Sequence, residues 1–221
     1  MPGKFITFEG PDGAGKTTQM KLAGEKLTAR GFEVIYTREP GGTPISEKIR
    51  QILLDPANRE MVDKTEALLY AAARAQHVEQ LIRPAVRAGK VVLCDRFTDS
   101  TLAYQGFGRG INRDLLHLVN DMAVGDMIPH LTVIFDLDPD AGLTRITATR
   151  IQHNQGEGQD KGKDRIEQED IGFHRRVREG FLFLARENPR RYRVIAADRD
   201  LNAVADDVWQ CLQEVFGFEN P

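Results

Sequence analysis

Cysteine, tryptophan, long apolar runs and charge of a single sign are all scarce in this sequence. Its 221 residues hold two cysteines and one tryptophan. Cys94 and Cys211 lie too far apart for a metal-ligand spacing and are too few for a disulfide framework. Cys94 falls inside an apolar run, where a thiol serves as a small hydrophobe. That usage fits a reducing cytoplasm. No stretch approaches the ~18–20 consecutive apolar residues of a membrane span, so no membrane partner is expected. The opening Met1-Pro2-Gly3-Lys4 runs into a strand-like segment that is too short and polar for a signal peptide. Lys+Arg number 30 against 33 Asp+Glu, a net charge of −3. No global basic field is therefore available to grip nucleic acid. Internal repeats at periods of about 20–50 residues are also missing, which excludes a solenoid.

What is present is the composition of a folded domain. Hydrophobic residues make up 41% and 20 glycines add to them, close to the globular average. The length suits one domain with a mobile appendage. Short apolar runs alternate with helical stripes. Phe5-Ile6-Thr7-Phe8, Val34-Ile35-Tyr36, Val91-Val92-Leu93-Cys94, Leu131-Thr132-Val133-Ile134-Phe135 and Val194-Ile195-Ala196 read as five buried strands. Between them, Met20, Ala23 and Leu27 recur at helical spacing up to Gly31, as do Ile45, Ile49, Ile52 and Leu53 before Pro56. A longer stripe runs from about Lys64 to Ala88, with a kink expected at Pro84. Val204, Val208, Leu212 and Val215 mark a closing helix. Continuous apolar strands separated by helices imply a parallel sheet covered on both faces, a three-layer α/β domain. One segment breaks the pattern: Gln152 to Arg165 holds no large apolar residue and carries Gly156, Gly158 and Gly162. It cannot bury enough surface to offset its ordering entropy. A mobile lid is expected at about 150–166, between helices at 141–150 and from about Ile166 onward.

Gly10-Pro11-Asp12-Gly13-Ala14-Gly15-Lys16-Thr17 matches GxxxxGK[ST] and lies between an expected strand and an expected helix, the context that gives the motif meaning. Its backbone N–H groups would curl around a polyphosphate at a helix N-terminus. Lys16 would reach the β and γ phosphates, and the Thr17 hydroxyl would hold Mg²⁺. The plain alternative is a glycine-rich connection between strand and helix. An Asn-Lys-x-Asp element that would read guanine is missing.

Arg38-Glu39-Pro40-Gly41-Gly42-Thr43 and Asp95-Arg96 leave the second and third strands at their C-terminal ends, where open α/β sheets bind ligands. Two arginines beside a phosphate loop suggest a second anionic group facing the first, because a planar guanidinium can bond two phosphate oxygens at once. Taken singly, each arginine could equally be an ion-pair partner. Asp95, at a strand end, is placed to hold Mg²⁺ directly or through water. A carboxylate at Asp12 would repel bound polyphosphate unless an arginine offsets it, which hints at a role toward the acceptor. His77 and His153 have no paired ligand or base and read as structural or solvated.

Six segments together resemble thymidylate kinases of the bacterial type. They are Phe8-Glu9-Gly10-Pro11-Asp12-Gly13-Ala14-Gly15-Lys16-Thr17-Thr18, Thr37 to Thr43, Ala72-Ala73-Arg74-Ala75-Gln76-His77, Asp95-Arg96-Phe97-Thr98-Asp99-Ser100, Tyr104 to Gly110, and Asp164-Arg165-Ile166-Glu167-Gln168-Glu169. The resemblance implies a P-loop NTPase fold and Mg²⁺-dependent transfer of the ATP γ-phosphoryl group to thymidine 5′-monophosphate. It implies ATP on Gly10 through Thr18. Arg74 would bond the thymine edge and Tyr70 would stack on the ring. Ser100, Thr101, Tyr104, Gln105 and Glu39 would complete the acceptor site. Arg38 and Arg96 would hold the acceptor phosphate, with Asp12 beside them. Arg165 or Arg150 would bring a lid cation to the reaction. Relatives generally dimerise, and the helix over 64–88 is the expected face. Two alternatives stand beside this reading: a kinase for another nucleotide or nucleoside, and a nucleotide-dependent switch that phosphorylates no small acceptor.

Overall fold

The computed structural model describes residues 3–154 and 163–218, without the side chains of 151–154. Five strands form one parallel sheet: β1 (Lys4–Glu9), β2 (Val34–Arg38), β3 (Val91–Asp95), β4 (Leu131–Asp136) and β5 (Tyr192–Ala196). Their spatial order is β2-β3-β1-β4-β5. The pairing aligns Phe8 and Arg38 with Asp95, and Asp136 with Ala196. The strands' C-terminal ends therefore gather at one edge, with β4 and β5 running past the end of β1, since Glu9 pairs with Ile134. The central strands are buried along nearly their whole length, whereas β2 and β5 are half-exposed edges. That is why the central runs read as unbroken apolar segments.

Successive side chains go to opposite faces of the sheet. Ile6, Phe8, Val91, Leu93, Val133 and Phe135 pack under α1 (Lys16–Thr28) and the C-terminal helix Leu201–Phe216. Phe5, Val92, Cys94 and Ile134 point the other way. That second face is covered by several helices. They are α3 (Asp63–His77), α4 (Arg83–Arg87), the short α5 (Thr98–Thr101), α6 (Arg113–Val124) and α8 (Ile171–Glu187), while α2 (Pro44–Leu54) packs on α3 and α7 (Pro139–Asn154) against α8 and the phosphate loop; the C-terminal helix is α9. The three-layer expectation is what the chain adopts.

The expected stripe over 64–88 is continuous from Asp63 to Arg87, but its middle widens into a π-helical stretch at Val78–Ile82. Pro84 explains the location. It has no N–H to donate and its ring crowds the preceding turn, and a wider turn relieves both. The helix expected from about Ile166 starts instead at Ile171. Asp164 Oδ1 accepts the N–H groups of Ile166 (3.0 Å) and Glu167 (2.8 Å), closing a separate turn. Asp170 then caps α8 by accepting from Phe173 N–H at 2.8 Å. The periodic reading did not include α6, whose start is marked by Asn112 Oδ1 capping Asp114 and Leu115. Of the expected lid, residues 155–162 lie outside the described residues. Among the described residues, no helix is long and apolar enough to cross a membrane.

Candidate active site

The phosphate loop joins β1 to α1 at the sheet's carboxyl edge. Gly15, immediately before α1, has φ 83°, a conformation open to glycine at little cost. Gly13 is required for a different reason. A Cβ there would sit 2.2 Å from the Gly142 carbonyl oxygen, and a Cβ on Gly142 would sit 2.2 Å from the Asp12 carbonyl oxygen. The loop thus lies backbone to backbone against α7. Lys16 Nζ folds over the loop, donating to Pro11 O (2.8 Å) and Gly10 O (3.1 Å). Burial and neighbouring Arg96 lower its pKa to about 8, against the pull of Asp95, Asp12 and Glu9.

A cleft of about 780 Å³ opens above this loop, and a recess of about 120 Å³ continues from it. Gly13, Gly15, Lys16, Thr17 and Thr18 line the cleft with Asp95 and Arg38. Tyr70, Ser100, Thr101, Tyr104 and Gln105 line the recess. Asp12, Glu39, Arg50 and Arg96 line both and so stand at the boundary. Arg96 is held there by three acceptors: Gly10 O (3.1 Å), Ser100 Oγ (3.1 Å) and Asp12 Oδ1 (2.5 Å). Tyr104 donates its hydroxyl to Asp12 Oδ2 at 3.0 Å. Burial alone would raise the Asp12 pKa; Arg96 and Lys16 outweigh it and bring the group to about 2. The charge problem posed by Asp12 is solved by Arg96. Burial raises the Tyr70 phenol and keeps it neutral.

Most of the expected site residues therefore converge, but two stand elsewhere. Arg74 lies behind the recess wall, 1% exposed. It donates to Glu39 Oε2 (2.6 Å), Asn120 Oδ1 (2.7 Å), Phe97 O (3.1 Å) and Thr101 Oγ1 (3.0 Å). Thr101 is its one partner among these acceptors' side chains besides Glu39 that lines the recess. Arg165 is turned from the cleft: its Nε donates to Leu53 O at 3.0 Å, and Nη2 lies 2.5 Å from Glu66 Oε2. Arg150, by contrast, lines the cleft, paired with Glu167. Arg38 is half-exposed and forks across Glu47, at 3.0 Å to each oxygen. His77 is structural as expected, buried between Glu39 Oε1 (3.0 Å) and Thr37 Oγ1 (2.7 Å). The side chain of His153 lies outside the described residues.

Sequence reasoning missed Arg50, Arg145, Asp164 and Glu66. Arg50 and Arg145 line the cleft, and Asp164 lines the recess. Glu66 is fully buried and accepts from Gln105 Nε2 (2.8 Å) and Arg109 Nη2 (3.1 Å) as well as meeting Arg165. The one available signal was position: Arg50 is off the apolar stripe of a helix that starts from the Gly41-Gly42 turn.

Thr17 Oγ1 donates to Asp95 Oδ2 at 2.5 Å on the cleft wall. Among the described residues, no cluster of three or more His, Cys, Asp or Glu could cage a metal unaided. Two hard oxygens facing a phosphate site fit Mg²⁺, which keeps several waters and takes its remaining ligands from substrate phosphates.

A parallel sheet with a phosphate loop at its switch point, and a second recess joined to it at Arg50 and Arg96, has the form of a P-loop phosphotransferase. The comparisons narrow the class. The thymidylate kinase family model matches residues 8–208. The thymidylate kinase of Pelotomaculum thermopropionicum is 54% identical over 215 residues, covering 97% of this chain and 95% of the relative. That of Geobacter sulfurreducens is 52% identical over 206 residues, covering 93% and 94%. The crystal structure of thymidylate kinase from Ehrlichia chaffeensis superposes with a TM-score of 0.75 at 36% identity, covering 96% of this chain and 99% of that one. The chain belongs to the thymidylate kinase family.

Proposed function

We infer that the chain transfers the γ-phosphoryl group of ATP to thymidine 5′-monophosphate, releasing thymidine 5′-diphosphate and ADP for dTTP synthesis. The observation that carries this reading is the pair of joined cavities that share Arg96 and Asp12. A phosphoryl group passing from one to the other must pass Arg96.

ATP lies with its phosphates on Gly10 to Thr18. Lys16 exchanges its two carbonyl partners for phosphate oxygens, which also restores its full charge. Thr17 and Asp95 would hold Mg²⁺, which would supply positive charge against the phosphate groups. Thymidine monophosphate enters the recess with its base against Tyr70, Thr101 and Gln105 and its sugar near Tyr104. Arg96, Arg50 and Arg38 hold its phosphate, and Glu39 braces the turn beneath. Arg74 acts on the base from behind, through Thr101 and Glu39. An acceptor phosphate oxygen forms the new P–O bond as the bond to ADP breaks. The acceptor is already anionic, so no general base is needed. Charge in the transition state is spread over Lys16, Arg96 and Arg150. Arg150 has the cleft-facing position, and Arg165 anchors the segment that follows it.

The function is tested by ADP release with ATP·Mg²⁺ and, separately, thymidine, deoxyuridine, deoxycytidine and deoxyguanosine monophosphates. Release that depends strongly on thymidine monophosphate is expected. Equal release without acceptor would mean an ATPase or switch, and preference for another monophosphate would reassign the recess.

The chain works in the cytoplasm as a homodimer. Both free thiols suit a reducing compartment. The dimer reading is supported by α3 and α6, which meet through Arg74 and Asn120 and leave Leu68, Leu115, Leu118 and Met122 exposed. Such a patch suits a second copy, because two-fold pairing covers it on both partners at once.

A further inference from the structure

Glu9 ends β1 immediately before the phosphate loop, and it is fully buried. No step described above uses it. Its Oε1 accepts the backbone N–H groups of Phe97 (2.7 Å) and Ser100 (3.3 Å), and its Oε2 accepts the Ser100 hydroxyl (2.6 Å). That hydroxyl oxygen in turn accepts from Arg96 Nη1 at 3.1 Å. Arg96 lies just before these donors and has φ 72°, the one non-glycine residue with positive φ among the described residues. A bulky side chain in that region stays there only when its surroundings hold it.

An ionised carboxylate can only accept hydrogen bonds. In its ionised form Glu9 therefore draws the Ser100 proton toward itself and leaves an oxygen lone pair facing the guanidinium. A protonated or amide group at the same place would donate to Ser100 and turn its hydroxyl proton toward Arg96. We propose that Glu9 is the positioning residue for Arg96. Acting through the Ser100 hydroxyl and the Phe97–Ser100 backbone, its carboxylate holds the guanidinium at the boundary between the donor cleft and the acceptor recess. The proposal rests on the reading of Arg96 as the cation that meets the phosphoryl groups.

The groups facing Glu9 are Asp99 on α5, Arg96, Lys16 at the start of α1 and Cys94 on β3. Asp99 is itself tied to Arg191 (2.5 Å) and the Tyr192 hydroxyl (2.6 Å). Burial and Asp99 raise the Glu9 pKa, Arg96 and the donors from Ser100 and Phe97 lower it, and the balance lies at about 8. As pH falls through that value, Glu9 takes up a proton and the hold on Arg96 weakens. The acid side of the kcat/KM profile, which reports the free enzyme, therefore carries this group.

The test measures kcat, both KM values and the kcat/KM profile over about pH 6–9 with thymidine monophosphate. Wild type is compared with Glu9→Gln, Ser100→Ala, their double variant and Arg96→Ala. Glu9→Gln is expected to lower kcat by up to about 10²-fold, to leave KM for ATP unchanged and to lose the acid limb. Ser100→Ala is expected to lower kcat and diminish the acid limb by less, since the Phe97 and Ser100 N–H bonds to Glu9 remain, and the double variant to lose less than the sum of the two, because they share a chain of bonds. A Glu9→Gln enzyme with wild-type kcat and acid limb, or losses that simply add, would overturn the proposal. If Glu9→Gln does not fold, a diminished or an unchanged acid limb in Ser100→Ala decides the matter. Full turnover in Arg96→Ala would instead sink the underlying reading of Arg96.

Discussion

A side chain's neighbours can change its job without changing its chemistry. Arg74, Arg96, Arg150 and Arg165 carry the same guanidinium, yet one is a buried strut, two face the cleft and one anchors a turn to Glu66. Arg74 and Glu39 are both almost wholly buried and 2.6 Å apart. Removing one member of such a pair strands the other in a poorly solvated place. Arg74→Ala is expected to cost about 3–5 kcal/mol of stability, visible as a lower Tm, besides raising KM for thymidine monophosphate through a slackened Thr101. Arg74→Lys should not rescue it, since an ammonium cannot reproduce a fork that spans Glu39, Asn120 and Thr101. An unchanged Tm in Arg74→Ala would show that the strut is dispensable. The resemblance implied that Arg74 bonds the thymine edge itself, whereas the structure buries its guanidinium outside the recess lining. That placement behind Thr101 was not legible, because burial depth is set by α6 and α5, far off in sequence.

At the scale of elements, the contact between Gly13 and Gly142 ties the phosphate loop to the helix that carries Arg145 and Arg150. Helix propensity alone makes Gly→Ala favourable by ~1 kcal/mol inside a helix. At position 142 the added Cβ would meet the backbone carbonyl of Asp12 at 2.2 Å, and a backbone cannot swing aside as a side chain can. Gly142→Ala is therefore expected to weaken ATP binding by about tenfold or more, measured by titration of a fluorescent ATP analogue. Wild-type affinity with a raised Tm would mean that α7 slides freely past the loop. The π-helical stretch before Pro84 is a second case in which one residue type shapes an element. A kink was readable from proline chemistry; its form, a widened turn in an otherwise continuous helix, depended on packing of Val78 and Ile82 into the core.

For the whole molecule, exposed apolar side chains are found on several elements, and α3 and α6 carry four of them, with Met122 85% exposed. Leu115, Leu118 and Met122 are spaced along one side of α6, where a monomer gains nothing from them. Light scattering should give twice the monomer mass, and Leu118→Glu, by placing two like charges across a two-fold axis, should shift the protein toward monomer. A wild-type monomer at micromolar concentration would rule the dimer out. The sequence pointed to the helix over 64–88 alone for this face, because α6 was not visible as a helix beforehand.

The sequence by itself determined the local chemistry. The glycine spacing before Lys16, the apolar runs of the five strands and the family motifs are covalent patterns, and each acts within a few residues of itself. Tertiary structure alone decided which charged groups meet. Glu9 reaches Ser100 across 91 positions and Asp12 reaches Arg96 across 84, because parallel pairing brings the ends of β1 and β3 level. Arg50 reaches the boundary and Arg165 is drawn to Glu66 for the same kind of reason. An ion pair is fixed by distance in space, and distance in space is set by sheet order and helix packing, which no short stretch of sequence contains.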